Sequence, residues 1–336
     1  MDINENTVAV MMATYNGEKF LQEQLDSLIN QTYDNWVLFI RDDNSIDDTR
    51  KIIDIYCEQY SEKIRFIEDN SLPSGGAKNN FVGLYQWVTK RFDFSYYMFC
   101  DQDDVWLPKK IEQSINTIKR EEKLEEIPLL FHSDLIVVDQ KLNIINDSYM
   151  KYRVINGNVN DINHLLIQNN VTGCTMLWNK KLNDIIKKTI NTDIVMHDWW
   201  IALIACLYGK IVFSSRALIY YRQHNKNVVG ATKVSSFRFV LLRLKDIDHV
   251  KFTLSSAVEQ AENLYKCSQN VDEHMLNILK IFCSLKKKNK IQKKKYLKKK
   301  KKNPKNIYFF FFYFIFFFFL KKKKKIFFFY FFFLSP

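Results

Sequence analysis

Glycine is scarce in this chain, with eight glycines spread over 336 residues. None falls in a Gly-x-Gly-x-x-Gly pattern or a Walker loop, which disfavours the common ways of holding phosphate on backbone amides. A nucleotide bound here needs a cation to do more of the phosphate work. Cysteine is sparse too: the six thiols (57, 100, 174, 206, 267 and 283) are scattered and form no Cys-x-x-Cys. That pattern fits a reducing cytosol better than a zinc site or a disulfide framework, and Cys100 and Cys206 read as core thiols. The N-terminus runs straight into a strand, so no signal peptide is expected. A basic folded region is also missing. The net charge of +13 rests on eighteen lysines between residues 286 and 336, where there are no acids; removing them leaves −5 for residues 1–285. Nucleic-acid binding is therefore not indicated.

What is present is acid in one place. Asp101, Asp103 and Asp104 sit within four residues, directly after the apolar run at 96–100. Such a run reads as a buried strand, and a parallel sheet opens its functional edge at the carboxyl ends of its strands. Crowded carboxylates repel one another unless a cation, a proton or solvent relieves them. Asp101 and Asp103 are two apart, so an extended backbone points both the same way. Two hard oxygen donors on one face suit Mg²⁺ or Mn²⁺, usually shared with substrate phosphates. Asp104, ahead of Pro108, reads equally well as a helix cap.

A chain of this length holds one large domain or two small ones. Residues 8–12, 36–40, 64–67 and 96–100 read as strands, each of the first three followed by a helix of amphipathic spacing. Asp47 or Asp48 can cap the second of those helices. This alternation predicts an α/β fold with a mostly parallel sheet and helices on both faces. A strand order of 3-2-1-4 places the switch point between strands 1 and 4, where Thr14–Gly17 and Asp101–Asp104 meet beside Asp42 and Asp43. Further strands are expected at 129–134 and 135–138, a pocket-lining strand at 170–176, and a helix opening at His197-Asp198-Trp199-Trp200. Residues 235–285 read as two or three amphipathic helices.

Four motifs then fall in a familiar order: Ala13-Thr14-Tyr15-Asn16-Gly17, Arg41-Asp42-Asp43-Asn44-Ser45, Asp101-Gln102-Asp103-Asp104-Val105-Trp106 and His197-Asp198-Trp199-Trp200. From about residue 8 to 231 the chain resembles the family 2 glycosyltransferases of the GT-A fold. Val171-Thr172-Gly173-Cys174-Thr175-Met176 and Tyr221-Arg222-Gln223-His224 resemble the rhamnosyltransferase branch that builds bacterial surface polysaccharides. The resemblance implies Asp103 as the direct metal ligand, Asp101 on the ribose or metal, and Asp43 receiving the base N–H. It also implies Tyr15 packed on the base, with Thr14, Asn16 and Lys78 in the donor nucleotide site beside Asn80. Asp198 is implied as general base, the alternative being a helix N-cap. Trp199 and Trp200 can desolvate Asp198 and raise its pKa, and they are candidates for the acceptor pocket. His224 is a candidate metal ligand and Arg222 a candidate diphosphate partner.

The expected activity is inverting, metal-dependent transfer of L-rhamnose from dTDP-rhamnose to a glycan or lipid-linked acceptor. A UDP-hexose or UDP-N-acetylhexosamine donor keeps the same fold, and a catalytically silent, membrane-associated product is the reading from a different class. A nucleotidyltransferase would want a basic, glycine-rich phosphate loop near the first strand, which the sequence lacks. The expected location is the cytoplasm, at the inner face of the membrane if the acceptor is lipid-linked. The domains are read as 1–232 (transferase), 233–285 (helical extension) and 286–336 (a Lys/Phe low-complexity tail). The fourteen residues 307–320 are fewer than the about 20 that span a bilayer. A lysine-flanked aromatic stretch can lie in an anionic membrane interface. The tail's Lys, Phe, Asn, Ile, Tyr and Leu also all have A/T-only codons, as translated homopolymeric DNA after a frameshift would give.

Overall fold

The structure, a computed structural model, describes residue 4 and residues 6–191, 193–224 and 247–287. The tail read at 286–336 lies outside the described residues from 288 on, as do the end of the transferase domain and the start of the helical extension at 225–246.

The first hundred residues build β1 (Val8–Thr14), α1 (Leu21–Ile29), β2 (Trp36–Asp42), α2 (Thr49–Gln59), β3 (Ile64–Phe66), α3 (Ala77–Arg91) and β4 (Tyr96–Cys100). The four strands pair in parallel in the expected order 3-2-1-4. β1 shows why a parallel sheet needs an unbroken apolar run. Val8, Val10 and Met12 enter the core cluster that holds Leu21, Leu25 and Leu28 of α1, and Ala9 and Met11 enter the one that holds Phe81, Leu84 and Tyr85 of α3. Both faces of the strand are covered, so neither can be polar. In α1 the same apolar residues recur at helical spacing, and all three are fully buried.

The second half is mixed rather than parallel. It contains β5 (Val105–Trp106), α4 (Lys110–Leu124), β6 (Leu129–Val138), β7 (Ile144–Asn146), α5 (Tyr149–Arg153), α6 (Ile162–Leu165), β8 (Leu177–Asn179), α7 (Lys180–Thr189), α8 (His197–Tyr208) and β9 (Lys210–Arg222). β8 lies antiparallel between β4 and β6, while β6 pairs in parallel with β9. The two strands expected at 129–138 are one, β6, whose register against β9 shifts on both sides of Asp134. There the Asp134 carboxylate accepts from the Leu135 and Met150 amides and from the Ser148 hydroxyl. A buried carboxylate bonded this way stands in for ladder partners and lets the strand bend without breaking. The strand expected at 170–176 is instead a 3-10 turn at Gly173–Thr175 leading into β8.

Two helices close the described chain, α9 (Ile247–Cys267) and α10 (Glu273–Lys287). Ala257, Val258, Ala261 and Leu264 of α9 belong to the same apolar cluster as Trp200 and Ile201 of α8. The Val195 amide, ahead of α8, donates to buried Gln260 of α9 at 2.8 Å.

Candidate active site

β1 stops pairing with β4 at Met12–Cys100 and with β2 at Thr14–Asp42, so the three loops that follow leave the sheet at one level. Together with the start of α8 they enclose a cavity of about 1010 Å³. Thr14, Tyr15, Asn16, Asp43, Asp101, Asp103, Asp198 and His224 all line it. Eight residues spread over two hundred positions are thus brought together by topology alone.

On the sheet side stand Asp101, Asp103 and His224, the residues expected as metal ligands. The His224 Nε2 lies 2.7 Å from the Asp103 carboxylate, and its ring packs on Phe20 at 5.0 Å between centroids. Burial, then the charges of Asp103 and Asp198, push Asp101 well above the usual carboxylate range. Carboxylates crowded beside an imidazole offer the oxygen and nitrogen donors that Mn²⁺ or Mg²⁺ takes, and such a cation would return Asp101 to its ionised form. Asp101, Asp104 and Cys174 also bring one ligand atom each within 4.8 Å of one another. That second grouping is a buried hub rather than an open site. Asp104 is fully buried and accepts from the Arg222 amide, and burial drives the Cys174 thiol upward and so neutral. Asp104 is therefore a supporting residue; it does not cap α4, which starts at Lys110.

Lys110 completes the hub. Sequence assigned it no role, yet it is fully buried with its ammonium 3.7 Å from the Trp106 ring centroid. Burial lowers it to about 7, against the pull of Cys174, Cys100 and Asp104.

Asp198 faces these acids from α8. It lies one residue inside the helix, whose cap is Met196, so the N-cap alternative does not hold. Its Oδ1 accepts from the Trp199 amide at 2.6 Å. Burial pushes it up to about 6, opposed by backbone hydrogen bonds from Trp199 and Gly173. The raised value expected from a desolvating neighbourhood is present. The tryptophans themselves do not form the acceptor wall: both are buried, with indole N–H groups donated to the Leu165 carbonyl and the Thr189 hydroxyl. Helix α8 is apolar on every side from Trp199 to Leu207, which leaves them core positions. His197 does line the cavity; burial lowers it to about 3, so its imidazole is neutral.

Other expected residues have structural partners. The Arg222 guanidinium is 1% exposed and donates to the carbonyls of Asp103 (2.8 Å) and Gln140 (2.6 Å) and to the Glu23 carboxylate. It braces the acidic loop from behind instead of reaching into the cavity toward a diphosphate. Asp43 accepts from the amides of Gly75 and Gly76 at 3.1 and 3.0 Å, with lone pairs left over for a base N–H. Lys78 is half-buried in the first turn of α3, outside the cavity wall, whereas Asn80 reaches the wall while bonding Thr14 and Arg41. Gln102, Gln140, Lys19 and Phe20 also line the cavity. Sequence offered no signal for them, because amides and a single aromatic carry no charge pattern and one lysine in a helix-entry turn reads as solvated.

Residues 9–185 match the family model of "Glycosyl transferase family 2". The dTDP-rhamnosyl transferase RfbG of Shigella flexneri is 31% identical over 239 residues, 66% of this chain and 74% of the relative. The UDP-Glc:alpha-D-GlcNAc-diphosphoundecaprenol beta-1,3-glucosyltransferase WfgD of Escherichia coli is 30% identical over 115 residues, 34% of this chain and 42% of its own. Among solved structures, the mannosyltransferase PcManGT of Pyrobaculum calidifontis, in complex with GDP-Man and Mn2+, aligns over 83% of this chain and 69% of its own. Its identity is 14% and its TM-score 0.47. TarS of S. aureus covers 78% of this chain and 44% of its own at 17% identity, also with a TM-score of 0.47.

Proposed function

The chain belongs to glycosyl transferase family 2, and from that premise we propose that it transfers L-rhamnose, with inversion, from dTDP-rhamnose to a glycan or lipid-linked acceptor. The observation that carries transfer from a sugar nucleotide is the cavity itself, while the rhamnose donor is drawn from the likeness to the dTDP-rhamnosyl transferase. One carboxylate poised near 6 stands across from a cluster of acids, with an exposed aromatic ring at the rim.

The proposed chemistry follows from these positions. Tyr15 and Asp43 take the base of the donor, the ring stacking and the carboxylate accepting an N–H. Asp101, Asp103 and His224 would hold Mn²⁺ or Mg²⁺, which when bound neutralises charge on the departing diphosphate. Asp198 accepts the proton of the acceptor hydroxyl as that oxygen bonds to the anomeric carbon. The bond from that carbon to the diphosphate oxygen breaks on the opposite face, its electron pair leaving with the nucleoside diphosphate. A single base on one face accounts for inversion in one displacement.

Among the described residues no helix is long and apolar enough to cross a membrane. A lipid-linked acceptor would still bring the enzyme to the inner face of the cytoplasmic membrane. The test is release of nucleoside diphosphate from a panel of dTDP-, UDP- and GDP-sugars with Mn²⁺. Preference for dTDP-rhamnose supports the reading, preference for a UDP-hexose replaces the donor, and no release from any donor overturns it.

A further inference from the structure

Between Asp101 and Asp103 stands Gln102, to which the reaction just described gives no part. Its Oε1 accepts from the Tyr15 amide at 2.9 Å and its Nε2 donates to the Tyr15 carbonyl at 3.0 Å. One side chain thus meets both polar backbone groups of one residue. It does so just past Met12–Cys100, where the backbone ladder between β1 and β4 ends, so the carboxamide continues that ladder. The loop is fixed from its other side as well. The Asn16 amide donates to Ser45 at 2.8 Å and the Gly17 amide to Thr49 at 2.7 Å. The space is filled, because a Cβ on Gly17 would lie 2.3 Å from Gln102 Oε1. Within this fastened loop the Tyr15 ring is 56% exposed at the cavity.

A backbone held at both polar groups beneath an uncovered ring is a preorganised stacking platform: its ordering cost is met on folding rather than on binding. We propose that Gln102 is the positioning residue that sets the Tyr15 ring against the base of a nucleoside diphosphate, tying the base-reading loop to the acidic loop. This rests on the sugar-nucleotide reading above. It assigns the middle position of Asp101-Gln102-Asp103 to recognition of the base, with no part in holding the phosphates.

The test uses the full chain and measures dissociation constants for dTDP, UDP and inorganic pyrophosphate in Mn²⁺ by calorimetry. Loss of the two hydrogen bonds in Gln102→Met should weaken the better-bound nucleoside diphosphate about tenfold and pyrophosphate less than about twofold. Gly17→Ala, which keeps Gln102 but displaces its carboxamide, should do the same, and it decides the matter if Gln102→Met is recovered unfolded. In a Tyr15→Ala background Gln102→Met should have no further effect, a coupling that a merely structural glutamine would not show. Unchanged nucleoside diphosphate binding, equal loss of pyrophosphate, or full additivity with Tyr15→Ala overturns the assignment. If the wild-type chain binds neither nucleoside diphosphate, the sugar-nucleotide reading fails with it; if it binds one and Gln102→Met is unaffected, only this inference fails.

Discussion

Asp198 combines two requirements that pull against each other at the scale of one residue. A base must be ionised to accept a proton, yet burial, which makes it a better base, favours the neutral form. With a value near 6 it is ionised at neutral pH and loses that form as the pH falls. The expected kcat/KM profile, which reports the free enzyme, therefore drops about tenfold per pH unit below about 6, where an ordinary aspartate would hold until about 4. Asp198→Asn removes the base and should lower kcat about 100- to 10,000-fold while donor binding is kept. Retention of full turnover in that variant would sink the assignment. Asp103 is tested by metal binding instead: Asp103→Ala should weaken Mn²⁺ affinity about tenfold or more in titrations. These acids were legible in the sequence because carboxylates after an apolar run are rare and costly. The roles of Arg222 and Lys110 were not. A cation's sequence position does not say whether it faces solvent, a substrate or the back of another residue.

Among the elements, β9 does the most to shape the site. Its last residue and the segment after it clamp the acidic loop through the Arg222 amide on Asp104, the Arg222 guanidinium on the Asp103 carbonyl, and His224 beside the Asp103 carboxylate. Arg222→Met should cost about 2–3 kcal/mol in urea unfolding, since buried carbonyl acceptors lose a charged donor. It should also weaken Mn²⁺ binding, because Asp103 loses its brace. The other end of the strand depends on a close approach. A Cβ on Gly209 would lie 1.9 Å from the Pro128 carbonyl oxygen, where the Lys210 amide bonds the same carbonyl at 3.0 Å. Gly209→Ala should destabilise by about 1–3 kcal/mol, with backbone rather than a flexible side chain in the way. Parallel strands β1 to β4 could be read from apolar runs alone. Short elements such as β5 and β8 could not, because two or three residues carry no period and are set by the neighbours they pair with.

For the whole molecule, the helices after residue 246 share a core with the rest. Ala257, Ala261 and Leu264 pack in the same cluster as Trp200 on the helix that carries Asp198, and Gln260 holds the amide of Val195. A chain ending at residue 246 should show a lowered Tm and reduced turnover. One ending at residue 287 should match the full chain in nucleoside diphosphate binding to within about twofold; a larger loss would give the lysine- and phenylalanine-rich tail a part in the site. The sequence by itself determined the alternation of strand and helix, the order of the first four strands, and the acids that had to meet at their ends. Local periodicity and the scarcity of buried charge leave few other arrangements. Only the tertiary structure decided that Trp199 and Trp200 are core, that Arg222 stands behind the acids, and that Gln102 fastens Tyr15. Each of those depends on what lies across a gap of tens to hundreds of residues, and a side chain's partner there is set by packing rather than by its neighbours in the chain.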